Sequence, residues 1–225
     1  METYLTFGKG SDLILGHGMA QNKELWIKNG WVEELSKIRR VHLFDFSGHG
    51  EKANLNNKKF SVTDMAQNIN EISNDLDCKK FDYIGFSMGA RAGFEAASKN
   101  IKLDKLISLG MHPGSPKLEE KRFIKRSNAM KNLGKKTGDS KYLIYSKIFE
   151  KALHWQGAID SIKWEKNKHF IIMGEKDDNY NLTKSLLKDI GVEILHTLKE
   201  INHKNTFDEP KHSLNAIINF LQDRR

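Results

Sequence analysis

The stretch Gly85-Phe86-Ser87-Met88-Gly89, directly behind the apolar run Phe81-Asp82-Tyr83-Ile84, constrains the fold more than any other part of this 225-residue chain. A strand ending there must turn abruptly into a helix. Ser87 then sits at the corner in a strained backbone conformation, with its hydroxyl exposed. A Cβ at position 85 or 89 would crowd that corner, and glycine has none. The helix that follows aims its first free N–H groups at the serine. The pattern is short, so its meaning depends on what else the chain carries.

The surrounding chain alternates short apolar strands with helical patterns, which implies an α/β class with a mainly parallel twisted sheet and helices on both faces. Tyr4–Phe7 and Asp12–Leu15 flank a Gly-Lys-Gly-Ser turn and read as an opening hairpin. Leu25, Trp26, Ile27, Trp31, Val32, Leu35 and Ile38 mark one amphipathic helix, and Val41–Phe46 a strand. Ser61 and Asp64 form a capping box ahead of Val62, Met65, Ala66, Ile69, Ile72 and Leu76. After the elbow helix, Leu103–Leu109 reads as a strand. The rhythm then stops between His112 and Trp164, where Pro113, Gly114 and Pro116 break the chain and two helical stretches follow. It resumes with a buried-type strand at His169–Met173, a helix ending at Gly191, a strand at Val192–Leu198 and a terminal helix opened by Pro210.

A chain of this length fits one domain with a small insertion, and buries a large core without staples. Its single cysteine, Cys78, excludes an internal disulfide and any cysteine-rich metal site. The polar stretch Met1–Asp12 has no signal-peptide core, and no apolar run approaches a membrane span, so a soluble cytoplasmic protein is expected. The net charge is +8 and unevenly placed: residues 117–136 hold eight basic side chains against Glu119 and Glu120. That stretch reads either as a solvated helix face or as a docking surface for an anionic substrate or partner. With one aromatic, Phe123, it matches no nucleic-acid-binding module, so no nucleic-acid partner is expected.

Working groups of open α/β sheets sit beyond the carboxyl ends of the strands. At those ends stand Gly16-His17-Gly18-Met19, Ser87, Gly174-Glu175-Lys176-Asp177 and Asn202-His203. Serine, then acid, then histidine is the chain order of a Ser-Asp-His triad. With Asp45-Phe46-Ser47-Gly48-His49-Gly50, these blocks resemble the α/β-hydrolase superfamily over essentially the whole length. The resemblance implies an eight-stranded-type sheet, with a small helical cap inserted after the sixth strand and covering the site. Residues 1–112 and 165–225 would form the core, and 113–164 the cap. It also implies ester or related acyl hydrolysis without a cofactor.

Carried over residue by residue, Ser87 is the expected nucleophile, His203 its general base and Asp177 the acid that orients the imidazole. The backbone N–H groups of Met19 and Met88 are the expected oxyanion donors. Asp178 competes with Asp177 for the role of the acid, or instead caps the next helix. Asn202 stands where glycine is common, and asparagine tolerates a left-handed backbone there. His17 and His49 fit no metal-ligand spacing, so no metal is expected; the resemblance gives them a loop-supporting role. Tyr142, Tyr145, Phe149, Trp155 and Trp164 either line an apolar pocket or join cap to core. Arg91, one turn beyond Ser87, either meets a substrate carboxylate or makes a structural ion pair.

The expected activity is that of a serine carboxylic-ester hydrolase acting on small soluble esters or acyl substrates through an acyl-enzyme. Two alternatives stand beside it. The string Gly-Phe-Ser-Met-Gly-Ala-Arg is similar to that of the menaquinone-pathway lyase branch, which implies a lyase or carbon–carbon hydrolase acting on an acidic cyclic substrate. The other is a slow-turnover ligand sensor.

Overall fold

The computed structural model describes residues 4–54, 56, 58–99 and 102–223. The outermost residues of the expected core segments, 1–3 and 224–225, lie outside the described residues. Seven strands form one sheet: β1 (Leu5–Phe7), β2 (Asp12–Gly16), β3 (Arg40–Leu43), β4 (Phe81–Phe86), β5 (Leu103–Leu109), β6 (His169–Gly174) and β7 (Leu195–Leu198). Their order is β1-β3-β2-β4-β5-β6-β7, and every pair is parallel except β1 with β3.

Period-two alternation divides the core into two layers. Ile14, Tyr83, Leu106 and Ile171 point to one face of the sheet. Leu13, Leu15, Ile84, Ile107 and Ile172 point to the other. The first face is covered by α3 (Val62–Asp75), α4 (Met88–Ala97) and α7 (Tyr180–Asp189), and by the helical pair α5 (Glu120–Thr137) and α6 (Ser140–Ala152). The second is covered by α1 (Glu24–Lys28), α2 (Trp31–Leu35), α8 (Asn205–Asp208) and α9 (Leu214–Gln222). The capping box forms as its residues require: Ser61 Oγ accepts the Asp64 N–H at 3.1 Å, and Asp64 Oδ2 accepts the Ser61 N–H at 2.9 Å.

Several local expectations are corrected. The opening hairpin does not form, because β3 lies between β1 and β2. β2 is buried along its whole length and needs a parallel neighbour on each side, whereas β1 is mostly exposed and takes the edge. The single first helix is two, broken where Gly30 adopts a left-handed φ of 84°. Pro210 opens a 3-10 turn, Pro210–His212, rather than α9 itself. The sheet has seven strands among the described residues, not eight, and the helical pair follows the fifth strand in the chain rather than the sixth.

The topology decides where a ligand can enter. From β2 the chain runs to β3 on one side, and β4 then pairs on the other side of β2. The loops leaving β2 and β4 therefore diverge, and the crevice opens at their carboxyl ends.

Candidate active site

Ser87 stands at the end of β4 with φ 53° and ψ −107°, a conformation that side chains rarely adopt. Close packing on both sides holds it there. A Cβ on Gly85 would lie 2.5 Å from the Ala90 nitrogen, and one on Gly89 would lie 2.4 Å from the Gly16 carbonyl oxygen. The Tyr83 hydroxyl fixes the turn from below, donating to the Gly89 carbonyl at 2.8 Å.

The loops after β6 and β7 are stitched together by backbone hydrogen bonds, Glu175 N–H to Leu198 O at 2.9 Å and Lys176 N–H to Ile201 O at 2.8 Å. They approach so closely that a Cβ on Gly174 would lie 2.1 Å from the Ile201 oxygen. Asp177 is buried, and its Oδ1 accepts the Asn179 N–H at 2.9 Å. Its Oδ2 accepts the His203 Nδ1–H at 2.6 Å. His203 Nε2 in turn accepts the Ser87 hydroxyl at 3.0 Å. Three residues from distant parts of the chain thus form one continuous hydrogen-bonded line. The histidine ring lies against Phe86 (centroids 5.1 Å), and Phe86 stacks on Phe207 of α8 (4.7 Å). Trp31 anchors α8 by donating its Nε1–H to the Phe207 carbonyl at 2.8 Å.

Met19 and Met88 line the same narrow cavity as Ser87. Met88 opens α4, so no carbonyl one turn earlier in that helix takes its N–H. Ala20, next to Met19, has a left-handed φ of 60°, and its N–H is received by His49 Nε2 at 3.2 Å. His17 donates Nδ1–H to the Gly18 carbonyl at 2.8 Å and accepts the Phe46 N–H at Nε2 at 3.1 Å. Both rings therefore act as neutral acceptors. Burial pushes the His17 pKa down to about 4 and the His49 pKa down to about 3. Burial alone would raise the Asp45 carboxyl, but the backbone N–H and ammonium of Lys23 offset that and hold it below its ordinary value.

Asp178 is exposed and lies 3.6 Å from Arg122, while the N-cap of α7 is Asn179, so Asp178 does not cap that helix. Asn202 takes no left-handed turn; its Oδ1 accepts the Asn205 N–H at 2.9 Å and so starts α8. Among the aromatics of residues 113–164, Phe149 lines the cavity. Tyr145 stacks on His49, Trp155 donates to Glu95 at 2.9 Å, and Trp164 meets Phe94 edge-on, so these three join residues 113–164 to the elements packed on the sheet. Tyr142 packs edge-on against Tyr145.

Arg91 makes the expected structural ion pair. It is buried, lies 3.4 Å from Glu119 and also lines the cavity beside Ser87, together with Arg122 and Arg126 of α5. Arg122 and Glu119 carried no separate sequence signal, because a basic helix face reads the same whether it meets solvent or a cavity. A larger open groove, between Asp12, Arg39, Asp82 and Lys105, lies at the opposite ends of the strands from Ser87. Among the described residues no helix is long and apolar enough to cross a membrane.

Comparison with known proteins places these features in context. The profile of the alpha/beta hydrolase fold family matches residues 13–132. A pimeloyl-[acyl-carrier protein] methyl ester esterase of Aliivibrio fischeri (strain ATCC 700601 / ES114) is 31% identical over 109 residues, which are 48% of this chain and 39% of that protein. A Bacillus subtilis (strain 168) protein, provisionally named 2-succinyl-6-hydroxy-2,4-cyclohexadiene-1-carboxylate synthase, is 32% identical over 108 residues, 47% of this chain and 38% of that one. The matches thus span about two fifths of these relatives' own length. The solved structure of MenH from S. aureus superposes with a TM-score of 0.77 at 15% identity, covering 99% of this chain and 98% of that one.

Proposed function

The chain belongs to the alpha/beta hydrolase fold family, and on that premise we propose that it is a serine hydrolase of small carboxylic esters, with Ser87, His203 and Asp177 as its triad. The line of hydrogen bonds from Ser87 through His203 to Asp177 carries this reading. A serine hydroxyl is a feeble nucleophile until a base takes its proton. His203 Nε2 receives that proton as Ser87 Oγ bonds to the ester carbon, and Asp177 stabilises the imidazolium. The N–H groups of Met19 and Met88 hold the developing oxyanion, each worth roughly 10²–10³ in rate. As the carbon–oxygen bond to the alcohol breaks, His203 returns the proton to the leaving oxygen. Water then repeats the sequence on the acyl-enzyme.

Residues 113–164 act as a cap in this reading. The cavity under it has about 40 Å³ of free room, enough for roughly three water molecules. Arg91, Arg122 and Arg126 favour a substrate that carries an anionic group.

A fluorophosphonate probe tests the assignment. Label is expected on Ser87, is lost in Ser87→Ala, and is accompanied by turnover of p-nitrophenyl esters that is fastest for short acyl chains. Folded protein that takes no label refutes the nucleophile. The arginine lining also favours a second reading, a lyase or carbon–carbon hydrolase of a carboxylated cyclic substrate, in line with the Bacillus subtilis relative's name. Labelling of Ser87 without ester turnover would select it.

A further inference from the structure

The loop that leaves β2 meets the Ser87 strand at Gly18. An added Cβ there would lie 2.8 Å from the Phe86 ring and 2.9 Å from Gln21 Oε1, so the position requires glycine. A glycine joint leaves both of its peptide planes free to rotate, because no side chain restricts its backbone. Hydrogen bonds remove that freedom. The Gly18 N–H donates to Gln21 Oε1 at 2.8 Å. The Gly18 carbonyl accepts the His17 Nδ1–H at 2.8 Å and the Gln21 N–H at 3.3 Å. The Ala20 N–H donates to His49 Nε2 at 3.2 Å.

The Gln21 N–H closes a four-residue turn, Gly18–Gln21, whose third residue is Ala20. Ala20 holds a φ of 60°, which suits glycine better than a residue with a Cβ. Such a turn persists only where its surroundings hold it. Of the N–H groups of residues 18–20, two are taken and one is open: the Met19 N–H has no hydrogen-bond partner among the described residues. Met19 lines the cavity beside Ser87. The Gly18–Met19 peptide is trans, so its carbonyl and its N–H point in opposite directions. With the Gly18 carbonyl tied to His17 and Gln21, the Met19 N–H faces away from both. Turning that plane over would put a carbonyl oxygen where the N–H stands, and an oxygen there repels an oxyanion instead of binding it.

We propose that Gln21 is a positioning residue: it locks both peptide planes at Gly18 and so keeps the Met19 N–H open toward Ser87. Its carboxamide oxygen holds the plane before Gly18, and its own N–H holds the plane after it. His17 shares the second task, but among the described residues no other side chain takes the Gly18 N–H. Gln21 touches no reacting atom in this account and acts through Met19. The inference rests on the hydrolase reading for its chemical consequence, a better-aimed oxyanion donor. The loop geometry itself is tested without catalysis.

Amide hydrogen exchange, resolved by NMR on the full chain, supplies the first reading. Relative to their intrinsic rates, Gly18 is expected to exchange at least about tenfold more slowly than Met19. Gln21→Met keeps the side-chain length but offers no oxygen, and should speed Gly18 exchange at least about tenfold. Gln21→Glu keeps the acceptor and should leave Gly18 within about threefold of the unmodified chain. Turnover of p-nitrophenyl acetate supplies the second reading. Gln21→Met should lower kcat at least about tenfold with KM within about twofold, because the oxyanion contact is made in the transition state. Gln21→Glu should stay at least about threefold above it in kcat. A Gly18 exchange rate changed less than about twofold by Gln21→Met overturns the proposal. So does an unchanged kcat beside a lowered melting temperature, the mark of a merely structural residue. If Gln21→Met does not fold, the unmodified chain decides: equal protection of Gly18 and Met19 refutes the assignment. Probe labelling of Ser87 in the unmodified chain is read separately. The expected exchange pattern without labelling leaves the loop assignment standing and removes the hydrolase reading; labelling without that pattern does the reverse.

Discussion

Lowering the pH from 7 to 5 should strip this protein of much of its stability, and the three most strongly shifted of its buried histidines supply most of the loss. His17 is pushed down to about 4, and His49 and His112 to about 3, in each case chiefly by burial. In the unfolded chain each titrates near 6.5. Over this window the unfolded state takes up about three quarters of a proton per histidine, and the folded state takes up almost none. The folded pKa values lie below the unfolded ones, so the stabilisation is complete above about 6.5 and declines as pH falls. Each histidine then costs about 2 kcal/mol between pH 7 and pH 5, and the three together about 5–6 kcal/mol. Domains of this kind have roughly 5–15 kcal/mol in hand. Urea unfolding at pH 7, 6 and 5, followed by the fluorescence of the buried Trp26 and Trp31, reads the loss. His49→Gln, which retains an acceptor for the Ala20 N–H, should flatten the pH dependence by about 2 kcal/mol over the same range, whatever it does to stability at pH 7. A loss below about 1 kcal/mol in the unmodified chain would refute the reasoning. So would an unaltered slope in glutamine variants of all three histidines.

Other outcomes follow from the same geometry. Asp177→Asn should leave the fold intact and lower kcat for an ester by about 10⁴, because the amide no longer selects the tautomer that leaves Nε2 free to accept; steady-state kinetics at pH 7 check it. Gly89→Ala drives a methyl group to 2.4 Å from the Gly16 oxygen, so thermal unfolding should show a loss of about 1–3 kcal/mol and probe labelling of Ser87 should fall. Ser61→Ala removes the Asp64 N–H acceptor at the start of α3, and denaturant unfolding should register about 1 kcal/mol with no change in labelling at Ser87.

Much of the molecule was legible where local rules and long-range packing agree. Ser61 and Asp64 cap a helix with residues three positions apart, so the sequence contains both partners. Gly85 and Gly89 flank a corner whose crowding follows from covalent geometry, and the distances at both glycines bear that out. The lost hairpin, the split at Gly30 and the role of Asn202 at the start of α8 were not legible. Each depends on which strand or helix lies beside the segment, and periodicity does not encode that neighbour. The same holds for the supporting shell of the candidate site. Phe86, Phe207 and Trp31 are separated by long stretches of chain, yet they meet under the His203 ring.

By itself, the sequence determined the α/β alternation, the glycine-flanked corner at Ser87 and the chain order of the serine, acid and histidine, because these are one-dimensional facts of residue type and spacing. Tertiary structure alone decided that β3 enters between β1 and β2. It also decided that His17, His49 and His112 are neutral, and that Arg91 and Arg122 line one cavity while both pair with Glu119. Charge states and ion pairs depend on distance and on exclusion of water, and neither exists until the chain has folded.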